Sequence, residues 1–296
     1  MQDAFSARHP LINFIYFTVV ILFSMFLMHP ACLFISLSCA FIYSLYLKGK
    51  KALRFFLLGM IPLLLVTALL NPLFNHAGVT ILFYLPGGNP VTLESIVYGL
   101  AAATMFVTVI VWFSCFNAVM TSDKFIYLFG KIIPALSLIL SMVLRLVPRL
   151  MAQGRVIANA QEGVGRDAGS GNILQRARGI VRMTSIMITW TLESAIETAD
   201  SMKSRGYGLP GRTAFSIYRF ERRDLIILII ILLLAGLVLA GFVTGVTGMD
   251  YFPAVRITSL TWLSLLFFAA YAGLGLLPVI MDGWEDARWK RIKSAI

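Results

Sequence analysis

The sequence predicts an all-α polytopic membrane protein, with about six transmembrane helices and two long cytoplasmic amphipathic helices. Three observations predict it. Hydrophobic residues fill 59% of the 296 positions and charged residues only 13%, far from the proportions of a soluble domain. Several uncharged runs are long enough to cross a bilayer core of about 30 Å, which takes roughly 20 apolar helical residues. Of 25 Lys and Arg residues, 24 fall in alternate loops, the bias that orients membrane helices.

Taken in order, nearly uncharged runs at 11–28, 31–47, 55–70, 95–120, 225–246 and 257–281 are expected to be the spans. Their length, and Leu, Ala, Met and Gly without period-two alternation, favour helices over strands. The first run lacks a small-residue cleavage site and reads as a retained anchor rather than a signal peptide. Pro62 and Pro278 are tolerable where neighbours satisfy the freed carbonyl. Gly236, Gly241, Gly273 and Gly275 are expected to allow close helix contact. Cys32, Cys39 and Cys115 lack metal or redox spacing and read as packing residues.

The basic residues sit at Arg8, at 48–54, between 124 and 223 and in the tail; Arg256 alone lies on the other side. Both termini and the middle segment are therefore expected in the cytoplasm. Three regions follow: membrane helices in 1–121, a cytoplasmic region in 122–223, and two membrane helices with a basic tail in 224–296. The net charge of +11 reflects this topology and attraction to anionic membrane lipids. No nucleic-acid partner is expected, since no basic soluble domain is separable.

The region 122–223 has the pattern of two long helices. Leu136, Ile139, Leu140, Val143, Val147, Leu150 and Met151 recur at helical spacing, with Arg145, Arg149 and Arg155 among them. Gly163, Gly165, Gly169 and Gly171 break this helix. A second begins after Asn172, a good N-cap, and runs to Arg205, where Gly206 suits a left-handed cap. Such helices lie on a membrane face or dock a partner. Glu193, Glu197 and Asp200 share one face, which a metal site or, more simply, a solvated face explains.

Chemistry is hard to find. The sequence has no phosphate-binding loop, no nucleophile elbow and no His-Glu-x-x-His motif, so an enzyme, a cofactor and a metal centre are not expected. His9, His29 and His76 flank spans and read as loop residues. The spans hold almost no ionisable residue, which argues against a polar pathway through this chain alone.

Four stretches of the middle region resemble the transmembrane (T) components of energy-coupling-factor (ECF) importers, the cobalt-transport permease family. Leu144-Arg145-Leu146-Val147-Pro148 is similar to the family's Leu-Arg-Phe-Ile-Pro region. Ala160-Gln161 with Gly165 and Asp167 is similar to its first Ala-Arg-Gly element. The run from Glu193 through Glu197 to Met202 resembles the stretch before the second motif, and Ser204-Arg205-Gly206-Tyr207 resembles that motif. Val164 stands where the first motif holds arginine, with Arg166 two positions on; either Arg166 takes the contact or the site is weakened. Ala177-Arg178-Gly179 matches literally but falls early in its helix, and reads as coincidence.

The resemblance implies a division of labour. A small separate membrane subunit would bind the cargo, a vitamin or transition-metal ion, and two cytoplasmic ABC ATPases would supply energy. This chain, in the plasma membrane, would couple them. Ser204, Arg205, Gly206, Val164, Gly165, Arg166 and Asp167 would contact the ATPases, with Arg145, Pro148, Gln161 and Glu197 in support. An ordinary ABC permease with its own substrate path, a membrane enzyme and a scaffold are the competing readings.

Overall fold

A computed structural model describes residues 4–84, 89–130, 133–165, 172–210, 218–257 and 261–294. The chain divides into two compact units, Met1–Lys124 with Tyr218–Ile296, and Phe125–Ile217.

The first unit is a helical bundle. Helices α1 (Pro10–Phe26) and α2 (Pro30–Lys48) both begin with proline, whose fixed φ and missing N–H suit a first helical position. The preceding histidine caps each one. His9 Nδ1 accepts from the Leu11 N–H at 3.3 Å, and His29 Nδ1 from the Ala31 N–H at 3.2 Å. Expected as plain loop residues, both satisfy a helix-end donor. After Gly49, at φ 55°, α3 (Lys50–Phe55) passes through a π turn, Phe56–Met60, into α4 (Ile61–Phe74). The third span thus starts at its basic residues instead of position 55.

An antiparallel hairpin, β1 (Ile81–Tyr84) with β2 (Pro90–Thr92), precedes α5 (Leu93–Val119). Neither it nor the short pair β3 (Met249–Asp250) and β4 (Arg256–Ile257) has a period-two signal in so few residues. Helix α6 (Ser122–Gly130), also not anticipated, contains the division between the units. Helix α9 (Arg222–Val243) precedes β3, and α10 (Trp262–Ser294) follows β4. The last span therefore begins after position 257 and runs unbroken through Pro278 into the basic tail.

Helix α5 packs against α1, α2 and α4, while α10 packs against α2 and α9. Trp112 is fully buried at the centre with Tyr16, Phe17 and Tyr43. Ring centroids of Tyr16 and Trp112 lie 6.3 Å apart at 74°, an edge-to-face contact. Polar side chains bind the same helices together. Ser24 and Ser36 hydroxyls are 2.8 Å apart, and the Trp112 Nε1–H donates to Ser36 at 3.1 Å. Tyr271 lies 3.3 Å from Ser24, and the Tyr16 hydroxyl donates to the Gly275 carbonyl at 3.2 Å. In hydrocarbon, where no water competes, such bonds hold helices in register.

Small residues do the rest, though only two of the four glycines expected to. A Cβ on Gly275 would lie 2.9 Å from Cys39 Cβ, and one on Gly241 would lie 2.6 Å from Phe267. Gly236 and Gly273 face open space. All three cysteines are buried and unbridged.

By length and composition, the described helices able to cross a membrane are α2, α3 through α4, α5, α9, α10 and one from the second unit, Leu136–Gly163. Helix α1 has 17 residues and falls just short, where the sequence counted it as a span. Its position decides its role. Ile12, Tyr16, Phe17 and Val20 are at most 1% exposed, so α1 runs inside the same bundle, at the lower limit of spanning length.

Candidate coupling tips

The second unit holds α7 (Pro134–Gly163) and α8 (Ile173–Ser204), each about 45–50 Å long at 1.5 Å per residue. Asn172 opens α8 with a capping box: its side chain accepts from the helix start while Gln175 Oε1 accepts from the Asn172 N–H at 3.1 Å. Two pairs of residues show how the helices meet. The Arg149 guanidinium lies 5.1 Å over the Trp190 ring. A Cβ on Gly154 would meet Met187 Sδ at 3.3 Å. Rising numbers on one helix meet falling numbers on the other, so the pair is antiparallel and the two C-terminal ends leave the contact in opposite senses.

These ends share one backbone design. On α7, Val164 is the C-cap at φ −95°, ψ 9°, and Gly165 follows at φ 74°. The Gly165 N–H donates to the Glu162 carbonyl at 2.9 Å. On α8, Arg205 is the C-cap at φ −82°, ψ 10°, and Gly206 follows at φ 74°. There the Gly206 N–H donates to Lys203 and the Tyr207 N–H to Met202, both at 3.0 Å. This is the paired bonding of a Schellman end, which requires a left-handed residue and so favours glycine. Ser204 Oγ donates to the Ser201 carbonyl at 2.9 Å. The two matching cap positions are both exposed, Val164 at 67% and Arg205 on the other helix.

The sequence-predicted residues therefore gather into two turns on separate helices. Gln161, Val164 and Gly165 form one, and Ser204, Arg205 and Gly206 the other. Arg166 and Asp167 lie outside the described residues. Arg145 and Pro148 sit on the exposed middle of α7, which stays helical through Pro148, although proline leaves one carbonyl without its helical donor. Glu197 is exposed on α8, two turns before its end. With Glu193 and Asp200 it forms a solvated face; among the described residues no group of acidic, His or Cys side chains has metal-site geometry. Gly179 has no positive φ and lies within α8, so Ala177-Arg178-Gly179 is not a helix end.

Among the buried charges outside the tips, Lys124 and Glu94 each tie separate stretches of the chain together. Lys124 donates to the Val119 carbonyl at 2.9 Å and to the Ser6 hydroxyl at 3.2 Å, and burial pulls its pKa below the usual lysine value. Glu94, 2% exposed, accepts from the Thr80 N–H at 3.2 Å and hydroxyl at 2.9 Å, fastening the hairpin to the start of α5. No local pattern announces either.

A helical bundle with membrane-crossing helices, joined in one chain to a long amphipathic pair, defines a multi-pass membrane protein. Residues 5–217 match the model of the cobalt transport protein family CbiQ. The chain belongs to that family. It is 32% identical over 214 residues to the energy-coupling factor transporter transmembrane protein EcfT of Lacticaseibacillus paracasei, covering 68% of this chain and 80% of the relative. It is 31% identical over 208 residues to EcfT 1 of Listeria monocytogenes, covering 66% and 74%. Against EcfT of Lactobacillus helveticus the identity is 37% over 105 residues, 35% of this chain and 38% of the relative.

Proposed function

We propose that this chain is the coupling subunit of an ECF-type importer. Two cytoplasmic ABC ATPases dock at the α7 and α8 tips, and a small membrane subunit carries the cargo, a vitamin or transition-metal ion. The bundle sits in the plasma membrane with both termini inside. The observation that carries the reading is the pair of matching glycine-terminated tips. An arginine at a helix C-cap stands clear of the backbone and can enter an acidic groove, where its planar fork pairs with carboxylates. Uncovered apolar rows support a membrane partner: Ile180, Ile188, Leu192 and Ile196 on α8, and Leu136, Ile139, Val143 and Val147 on α7, are all exposed.

Truncating one member of a buried charge pair costs about 2–5 kcal/mol, roughly 30- to several-thousand-fold in affinity. Arg205→Ala is therefore expected to strip the ATPases from the purified complex and to abolish uptake, and Arg205→Glu to be worse. Arg178→Ala should be mild. The measurement is ATPase retained per membrane subunit; loss with Arg178→Ala and none with Arg205→Ala would overturn the assignment.

A further inference from the structure

The first unit carries a feature that the tips do not use. Along one face of α3 and the π turn, an open, shallow cleft of about 560 Å³ is lined by Lys50, Lys51, Arg54, Phe55, Leu58 and Gly59. Three of its six lining residues are cations and none is acidic. Neither Lys50, Lys51 nor Arg54 has an ion pair or hydrogen bond among the described residues. The remaining lining is apolar, and Leu58 is 74% exposed. Below the cleft the exposed apolar surface continues along α4 through Ile61, Leu65, Val66 and Leu69, which is a surface for acyl chains. The π turn Phe56–Met60 lies at the cleft, an irregularity often found at functional positions. A Cβ on Gly59 would meet no atom within 4 Å, so the space beside it is open.

We infer that this cleft binds the phosphate headgroup of an anionic phospholipid, with its acyl chains laid along α4. Charge complementarity selects the phosphate. Continuity with the lipid-facing surface selects a lipid over a soluble anion. The inference needs only the membrane bundle and is independent of the ATPase reading; the orientation proposed above assigns the lipid to the inner leaflet. This is a discrete site rather than the diffuse attraction that any basic loop exerts.

The test is native mass spectrometry of the purified chain in detergent, with phosphatidylglycerol or phosphatidylcholine added. The native chain should retain phosphatidylglycerol preferentially. Lys50→Gln/Lys51→Gln/Arg54→Gln should lower that retention roughly hundredfold. Arg222→Gln/Arg223→Gln/Lys293→Gln, which removes the same charge elsewhere, should leave it unchanged. Gly59→Leu fills the cleft with every cation in place and should also lower retention, whereas Lys50→Arg/Lys51→Arg should preserve it. Equal losses in the two triple variants, or full retention in Gly59→Leu, would reduce the effect to net charge and overturn the site. Displacement of the lipid by millimolar inorganic phosphate would make it a soluble-anion site and overturn the lipid assignment.

Discussion

At the scale of single residues, the two tips differ where their backbones agree. Val164 and Arg205 occupy the same C-cap position with nearly equal ψ, yet one offers an apolar knob and the other a guanidinium. On the proposed function, Arg205 carries more of the ATPase contact. Val164→Arg should then raise ATPase retention at elevated salt, by about two- to tenfold, because a new charge-assisted contact forms without changing the backbone. No gain would mean that Arg166 already supplies that charge. The Arg205 end was legible in the sequence because Gly at C′ is a strong, local signal. The Arg149–Trp190 contact was not, since nothing in either neighbourhood says which of many residues 41 positions away will stack.

At the scale of elements, helix starts and helix contacts make separate claims. His29 can cap α2 only while its Nδ1 is unprotonated, and burial lowers its pKa. A histidine with a lowered folded pKa binds protons more readily when unfolded. Stability therefore falls as pH drops below about 6.5, the unfolded value. Melting temperature in detergent should decline from pH 7 to pH 5, and His29→Asn, a strong cap that does not titrate, should flatten part of that decline. An unchanged slope in the variant would remove His29 as its cause.

Close helix contact gives a sharper comparison. Gly275→Val forces side-chain atoms into Cys39 and should cost about 1–3 kcal/mol, seen as a lower melting temperature. Gly273→Val meets nothing and should be nearly silent; similar losses in both would contradict the α2–α10 packing. The apolar runs announced the helices well, because hydrophobic length is a property of the chain itself. Which glycines touch a neighbour depends on helix rotation, and composition does not encode that. The repeated His-Pro pair was visible, but its capping role needed the backbone to fix it.

At the scale of the whole molecule, the distribution of Lys and Arg proposes the orientation. The three native cysteines are buried, so single exposed cysteines can report it. Ala77→Cys should react with an impermeant thiol reagent in intact cells, while Ser201→Cys should react only after permeabilisation. The reverse pattern would invert the topology. Span boundaries were less legible than spans: the tail expected after position 281 is the continuation of α10, because a helix can leave the membrane without any break in its hydrogen bonding.

On the proposed function, the contact of α7 with α8 through Arg149, Trp190, Gly154 and Met187 would serve the pair as a pivot. Arg205 lies 15 residues beyond Trp190, an arm of about 22 Å. A turn of about ten degrees at the pivot would sweep that tip through about 4 Å, most of a helical turn. On that function, a thrust of a few ångströms at one end would reach whatever lies along the other arm.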